Sequence, residues 1–307
     1  SGTSNINSGT DTTTLRPHTA GTLIDLGGAD AAGTLGLTDA ELDQITAGTL
    51  ILGDAAAGDL TVSAAISRPA ATNVQLRSGG DVIFNENFNT NGGTLLLAPG
   101  NSPAAVKPVF NGTDATASTV SFASDLAIVI NGTTPGDGAG ATYTQLTVAG
   151  DVNLTGVDLV LSGSHTPVPG QTFILVDNLG ANAITGTFTG LPEGAVITSA
   201  PFNTRWARIS YVGGTGNDVV LTVLAPDYSI TTAGGNLVVT DDAGNGDLLS
   251  MSPSGANAVF NTSPARTYSL NGGATMNFPI TINNIAAFNS ITINQAGGDD
   301  QFDIGAF

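Results

Sequence analysis

The sequence predicts an all-β chain wound for most of its length as a β-solenoid, and three observations carry that expectation. Apolar residues alternate in short runs, as in Leu50/Leu52, Val74/Leu76, Val82/Phe84 and Leu95/Leu97, and a period of two marks a half-buried strand. Turn signals such as Gly53-Asp54, Gly58-Asp59, Gly79-Gly80-Asp81 and Pro99-Gly100-Asn101 part these runs, at a spacing of about 8–13 residues typical of all-β folds. Charged residues make up only 10% of the chain. The Gly, Thr, Asn, Ser and Ala that replace them suit tight turns and polar-faced strands and are poor material for long helices. A sandwich of 307 residues would need separate domains with clear linkers, whereas one convincing break is visible, at Ala225-Pro226-Asp227. Short strands with little loop between them fit the coil of a solenoid, where each turn buries its inward residues on its neighbours.

Three segments follow. Residues 1–48 form a polar N-terminal segment that enters the solenoid. It carries the one good helical signal, Thr38-Asp39-Ala40-Glu41-Leu42, where Thr38 and Glu41 have capping-box spacing and predict a short helix through Ile45. Residues 49–224 hold the solenoid repeats. Strands are expected around Leu60–Ile66, at Leu146/Val148 before a Gly150-Asp151 turn, and at Val152–Leu161. More are expected at Phe173–Val176, Gly186-Thr187-Phe188, Ile209–Tyr211 and Val219–Val223, with a Gly-rich loop at 131–141. Residues 225–307 repeat the style at Leu237–Val239, Leu248-Leu249, Tyr268–Leu270, Phe278–Ile280, Ile291–Ile293 and Phe302–Ile304. That segment reads either as a continuation of the solenoid or as a smaller β-sandwich. The start, Ser1-Gly2-Thr3, and the end, Gly305-Ala306-Phe307, read as cuts from a longer chain.

Charge narrows the partners. Seven Lys and Arg face 25 Asp and Glu, for a net charge of −18, and Lys107 is the sole lysine. Nucleic acid and anionic lipid interfaces run on Lys and Arg, so neither is expected as a partner. No apolar run approaches the roughly 20 residues of a membrane helix, so no membrane insertion is expected. The chain has no cysteine, which a solenoid stabilised by repeat stacking does not need.

Two stretches carry a resemblance. Residues 40–53 followed by Gly58-Asp59-Leu60-Thr61-Val62 resemble repeat units of filamentous-haemagglutinin-like adhesins. A longer stretch resembles the segment that closes passenger-type β-helical units of autotransporter-like bacterial surface proteins. It runs from Tyr143-Thr144-Gln145-Leu146-Thr147-Val148 through residues 186–195 to Ile209-Ser210-Tyr211 and Gly216-Asn217-Asp218-Val219-Val220-Leu221. The resemblance implies a right-handed parallel β-helix, export from a Gram-negative-type cell to the surface or beyond it, and a role in adhesion or the envelope.

Candidate chemistry is sparse. Gly213-Gly214-Thr215-Gly216-Asn217-Asp218-Val219-Val220-Leu221 satisfies the nonapeptide of calcium-binding β-rolls. A β-roll site draws ligands from successive turns, and this motif stands alone, so a plain turn into a closing strand competes with Asp218 as a ligand. Asp241, Asp242 and Asp247 gather oxygen ligands around two glycines, as do Asp299, Asp300 and Asp303. Calcium is the metal such hard oxygens would take, against the reading of merely hydrated turns. Arg205, Trp206 and Arg208 form the best candidate for a sugar-contacting surface patch, with packing of the indole as the rival. The Asn111-Gly112-Thr113, Asn131-Gly132-Thr133 and Asn153-Leu154-Thr155 sequons are expected by chance in an Asn- and Thr-rich chain. His18 and His165 are isolated, which leaves zinc and Ser-His-Asp chemistry without support. No enzyme is expected. The expected role is a structural or adhesive segment of a large exported bacterial surface protein, a rigid rod presenting or spacing binding sites. Its partners would be further copies of itself, extracellular polysaccharide or a host surface. The alternatives are a calcium-stabilised, self-assembling matrix or surface-layer protein and, more remotely, a β-helix carbohydrate-active enzyme.

Overall fold

A computed structural model describes residues 5–100, 105–108, 114–135 and 142–305. Ser1-Gly2-Thr3, Asn101, the Asn111-Gly112-Thr113 sequon, residues 136–141 of the expected loop and Ala306-Phe307 lie outside them. The chain is all-β, 49% strand and 2% helix, with mostly parallel sheets. It divides into two compact units. The first holds the chain up to Thr166, Gln171–Pro201 and Arg208–Thr222; the second holds Pro167–Gly170, Phe202–Ala207 and the chain from Val223 on.

In the first unit the chain passes through three rows of strands in a fixed cyclic order. Thr49–Leu52, Leu60–Val62 and Ile66–Ser67 are followed by Asn73–Arg77, Val82–Phe84 and Phe88–Asn89, then by Leu95–Ala98 and Ala105–Pro108. Each strand pairs in parallel with its counterpart one circuit on. Because the side-chain period is two, an in-register parallel pairing stacks inward residues in columns. One column runs Leu50, Val74, Leu95, Val120, Val152. A second runs Ile24, Leu60, Val82, Val106, Leu126, and a third Ile66, Phe88, Ala115, Val148. Every residue in these columns is buried. Residues of the N-terminal segment join the same rows, since Thr12–Leu15 pairs with Thr49–Leu52 and Leu23–Leu26 with Leu60–Val62.

The last parallel strand added to this sheet is Thr172–Asn178, followed only by an isolated parallel bridge from Asn153 to Thr185 among the described residues. That strand pairs in parallel with residues 146–148 on one side and antiparallel with Asp218–Val223 on the other. Antiparallel cover of this kind hides an edge that would otherwise template further pairing.

Three local expectations are corrected. The capping box forms, with Glu41 N donating to Thr38 Oγ1 and Thr38 N to the Glu41 carboxylate. The helix, however, covers only Asp39–Leu42. Ile45 instead pairs with Ile6 in a parallel bridge, and the buried Arg68 guanidinium takes the carbonyls of Leu42 and Ile45. Gly150-Asp151 is not a turn between strands, because Leu146–Asn153 runs through it as one strand. Gly150 lets that strand press on Ala117, whose carbonyl oxygen would lie 1.8 Å from a Cβ. Gly186–Phe188 forms no strand; Phe188 is still buried, its amide held by the Tyr211 hydroxyl at 3.0 Å.

The second unit is built from hairpins. Tyr228–Ala233 pairs antiparallel with Asn236–Asp241, and Leu248–Ser254 with Asn257–Ser263. Later strands then add in parallel: Thr267–Leu270 on Tyr228–Ala233, Ser290–Asn294 on Asn236–Asp241, and Gln301–Ile304 on Leu248–Ser254. Its core packs Phe278 edge-on to Tyr228, with ring centroids 5.4 Å apart, and against Tyr268 at 5.0 Å. Ile230, Leu237, Val239, Leu249 and Phe260 complete it.

Candidate functional site

Several polar side chains at the corners of the first unit are used by the backbone. Asp59 Oδ1 accepts from Asp81 N, 22 residues on, at 2.8 Å. Asp81 Oδ1 accepts from Ala105 N, 24 residues on, at 3.0 Å, and Asn73 Oδ1 from Thr94 N, 21 residues on, at 3.0 Å. Asp114 and Asn131 reach 33 residues on, to Thr147 N and Ser164 N. Each of these side chains therefore ties one circuit to the next. A carboxyl or amide oxygen accepting a backbone N–H satisfies a donor that a corner would otherwise leave unpaired.

Asp218 belongs to this class. It is 1% exposed, and its Oδ1 accepts from Asn178 N at 2.9 Å while Oδ2 accepts from Thr215 N at 2.8 Å and from the Thr215 hydroxyl. The neighbouring Asn217 amide donates to the carbonyls of Asn178 and Gly180. The β-roll nonapeptide thus closes on protein donors. Asp177, beside it, has its carboxyl raised by burial and then by the Asp218 charge.

The arginine patch is divided. Arg205 donates to Thr204 O at 3.0 Å and to the carbonyls of Gly272 and Gly273, fastening the turn after Thr267–Leu270 within the second unit. Trp206 is half-buried and its carbonyl accepts from Leu224 N at 2.8 Å. Arg208 is exposed and groups with the first unit.

The remaining acidic candidates sit on two turns of the second unit. The first turn, Asp241–Asp247, joins Asn236–Asp241 to Leu248–Ser254; the second, residues 295–300, joins Ser290–Asn294 to Gln301–Ile304. Both flanking strand pairs are parallel, so one turn lies over the other. A Cβ on Gly244 would meet Gly297 O at 3.3 Å, and one on Gly246 would meet Asp299 N at 3.2 Å. Asp241 and Asp247 are 3% and 6% exposed, Asp300 is partly buried, and Asp242, Asp299 and Asp303 are exposed.

Asp247 receives the Tyr228 hydroxyl on Oδ1 and Arg266 Nε on Oδ2 at 2.9 Å. Asp241 Oδ1 accepts from Ala243 N and Gly244 N at 2.9 and 3.0 Å. Its Oδ2, like Asp300 Oδ1, is buried with no hydrogen-bond partner among the described residues. The Tyr228 phenol is raised far above its usual range. Burial is the largest cause, followed by the bond to Asp247 and by the charges of Asp247, Asp241 and Asp300. One hydroxyl therefore feels all three carboxylates. Among the described residues no three carboxylates or imidazoles already stand at metal-ligand spacing.

Tyr228 and Arg266 went unremarked as site residues in the sequence, and Asp114 likewise. No local spacing points to them, because their partners arrive through strand pairing. Comparison with protein-family models, curated proteins and solved structures returns no match.

Proposed function

We propose that the first unit is a right-handed β-solenoid, and that the chain is a segment of a large exported bacterial surface protein in which this coil acts as a rod. The rod spaces or presents binding sites carried elsewhere on the protein. The observation that carries the reading is the set of apolar columns running unbroken across successive circuits, with corner side chains spent on tying each circuit to the next. Such an arrangement transmits load along the stack, because stretching it must break a whole circuit of parallel pairing together with its column contacts. A strongly acidic chain with one lysine and no cysteine supports a solvated surface outside the cell, where net charge keeps an extended protein from clumping. The partners consistent with this reading are further copies of the chain, polysaccharide or a host surface.

Single-molecule stretching tests the rod. Circuits of 22 and 24 residues should release in steps of roughly 7–9 nm, the extended length of that many residues. Release of the whole first unit in one event would overturn the mechanical reading. Immunolabelling of intact cells tests location, and a wholly cytosolic signal would sink the proposal of export.

A further inference from the structure

We infer that the stacked acidic turns of the second unit form a calcium site, with Asp241 and Asp300 as its carboxylate ligands and main-chain oxygens of the two turns completing the shell.

Two independent observations meet here. The first is charge: Asp241, Asp247 and Asp300 all act on the Tyr228 hydroxyl, while among the described residues Arg266 makes its ion pair with Asp247, at 2.9 Å. Burying carboxylates without compensation costs several kcal/mol per charge as an order of magnitude, so such groups are paired or bind metal. The second is geometry: Asp241 is 3% exposed, and the oxygen not used by its own turn is enclosed and has no partner. Asp300 also turns a buried oxygen without a partner, from the turn stacked above. Asp247 is filled by Tyr228 and Arg266 and is therefore not counted among the ligands.

The ligand chemistry selects the ion. Only hard oxygens are on offer, and Ca²⁺ accepts six to eight of them in irregular geometry at about 2.3–2.6 Å, whereas Mg²⁺ demands a near-ideal octahedron. Glycines at 244, 246, 297 and 298 leave the two turns close enough for main-chain oxygens to join. Two carboxylates and flexible turns place affinity in the range of extracellular modules, on the order of 10⁻⁴–10⁻³ M. The ion would clamp strands 54 residues apart, so the site exists only once the parallel pairing of Ser290–Asn294 has formed.

The test is calcium titration of the whole chain by calorimetry, beside thermal unfolding in chelator and in about 10 mM CaCl₂. One ion per chain and a rise of several degrees in the midpoint are expected. Asp241→Asn and Asp300→Asn should each weaken binding tenfold or more, while the exposed Asp242→Asn leaves it unchanged. In chelator both variants should unfold at or above the parent's midpoint, because they remove an uncompensated charge. The inference is overturned by absence of calcium heat, by binding that survives both variants, or by variants that unfold early in chelator. None of these outcomes bears on the solenoid reading, which rests on the first unit.

Discussion

The two units solve the same problem in opposite order. In the first, a strand finds its partner one whole circuit away, so the apolar columns and the corner ties are long-range from the outset. In the second, strands adjacent in sequence close hairpins, and strands later in the chain add to them in parallel. Closing a longer loop costs more entropy before any contact rewards it. The first unit offsets that with repetition, because each circuit offers the next a buried apolar row. The second holds its core through aromatic packing among Tyr228, Tyr268 and Phe278, and concentrates its buried charge in one place.

The largest effect that would sharpen this contrast comes from matched core deletions. Phe84 and Phe260 are both fully buried, and changing either to Ala should cost about 3–5 kcal/mol. Their reach should differ. Phe84→Ala should speed hydrogen exchange in the circuits on both sides, at Leu60–Val62 and Ala105–Pro108, to which Val82–Phe84 is paired. Phe260→Ala should act first on its own hairpin with Leu248–Ser254. Equal, local protection loss in both variants would erase the distinction.

A gain of similar size is expected at Asp114, which is 1% exposed with a buried Oδ1 that has no partner among the described residues. Burial pushes its carboxyl up to about 8 from 3.8, despite the bond from Thr147 N. The folded chain then keeps a proton that the unfolded chain has released. Its contribution is fully present below pH 3.8 and is lost as pH rises to about 8. Asp114→Asn should match the parent at pH 3.5 and exceed it by a few kcal/mol, on the order of 3–5, at pH 8. Denaturant unfolding at the two pH values reads the difference, and a pH-independent gap would show that the carboxyl is ionised in the fold.

Smaller effects separate space from backbone conformation. Gly53 has φ +86° and faces Arg77 O of the next circuit, 2.0 Å from where a Cβ would stand. Gly255, in a hairpin turn, has φ +63° and nothing within 4 Å. Gly53→Ala should therefore cost about 2–3 kcal/mol, and Gly255→Ala about 1 kcal/mol, with Gly255→Asn almost neutral. Thermal midpoints in the reverse order would contradict the close stacking of circuits. The smallest change is Thr38→Ala, which removes the helix cap and should cost about 1 kcal/mol by denaturant midpoint.

What was legible in the sequence follows from the range of each signal. The alternation at Leu50/Leu52 or Val74/Leu76 is a property of neighbours, so the strands could be read directly. The Thr38–Glu41 capping box was equally local. Register was not, because circuits vary from 21 to 33 residues and no fixed repeat announces which strands meet. For the same reason Gly150-Asp151 looked like a turn, although the strand continues through it. The acidic turns show the limit most clearly. Asp218 and Asp241 stand in similar Gly-Asp surroundings, yet one carboxylate is filled by three protein donors and the other keeps a bare oxygen. Only the pairing of distant strands decides between them.

The corner ties have a consequence for how such a chain can change over time. The tie from Asn73 to Thr94 spans 21 residues and the one from Asp114 to Thr147 spans 33, yet Val120 still meets Val152 after a one-residue slip between Thr116 and Thr119. The longer span is accommodated while the buried valines keep their pairing. Insertions at corners should thus be close to silent for the stack, while a residue gained or lost within a strand must be absorbed as a bulge, as between Thr116 and Thr119, or it turns the later inward side chains outward. The fold behaves as a ruler whose graduations are protected and whose gaps are free to grow.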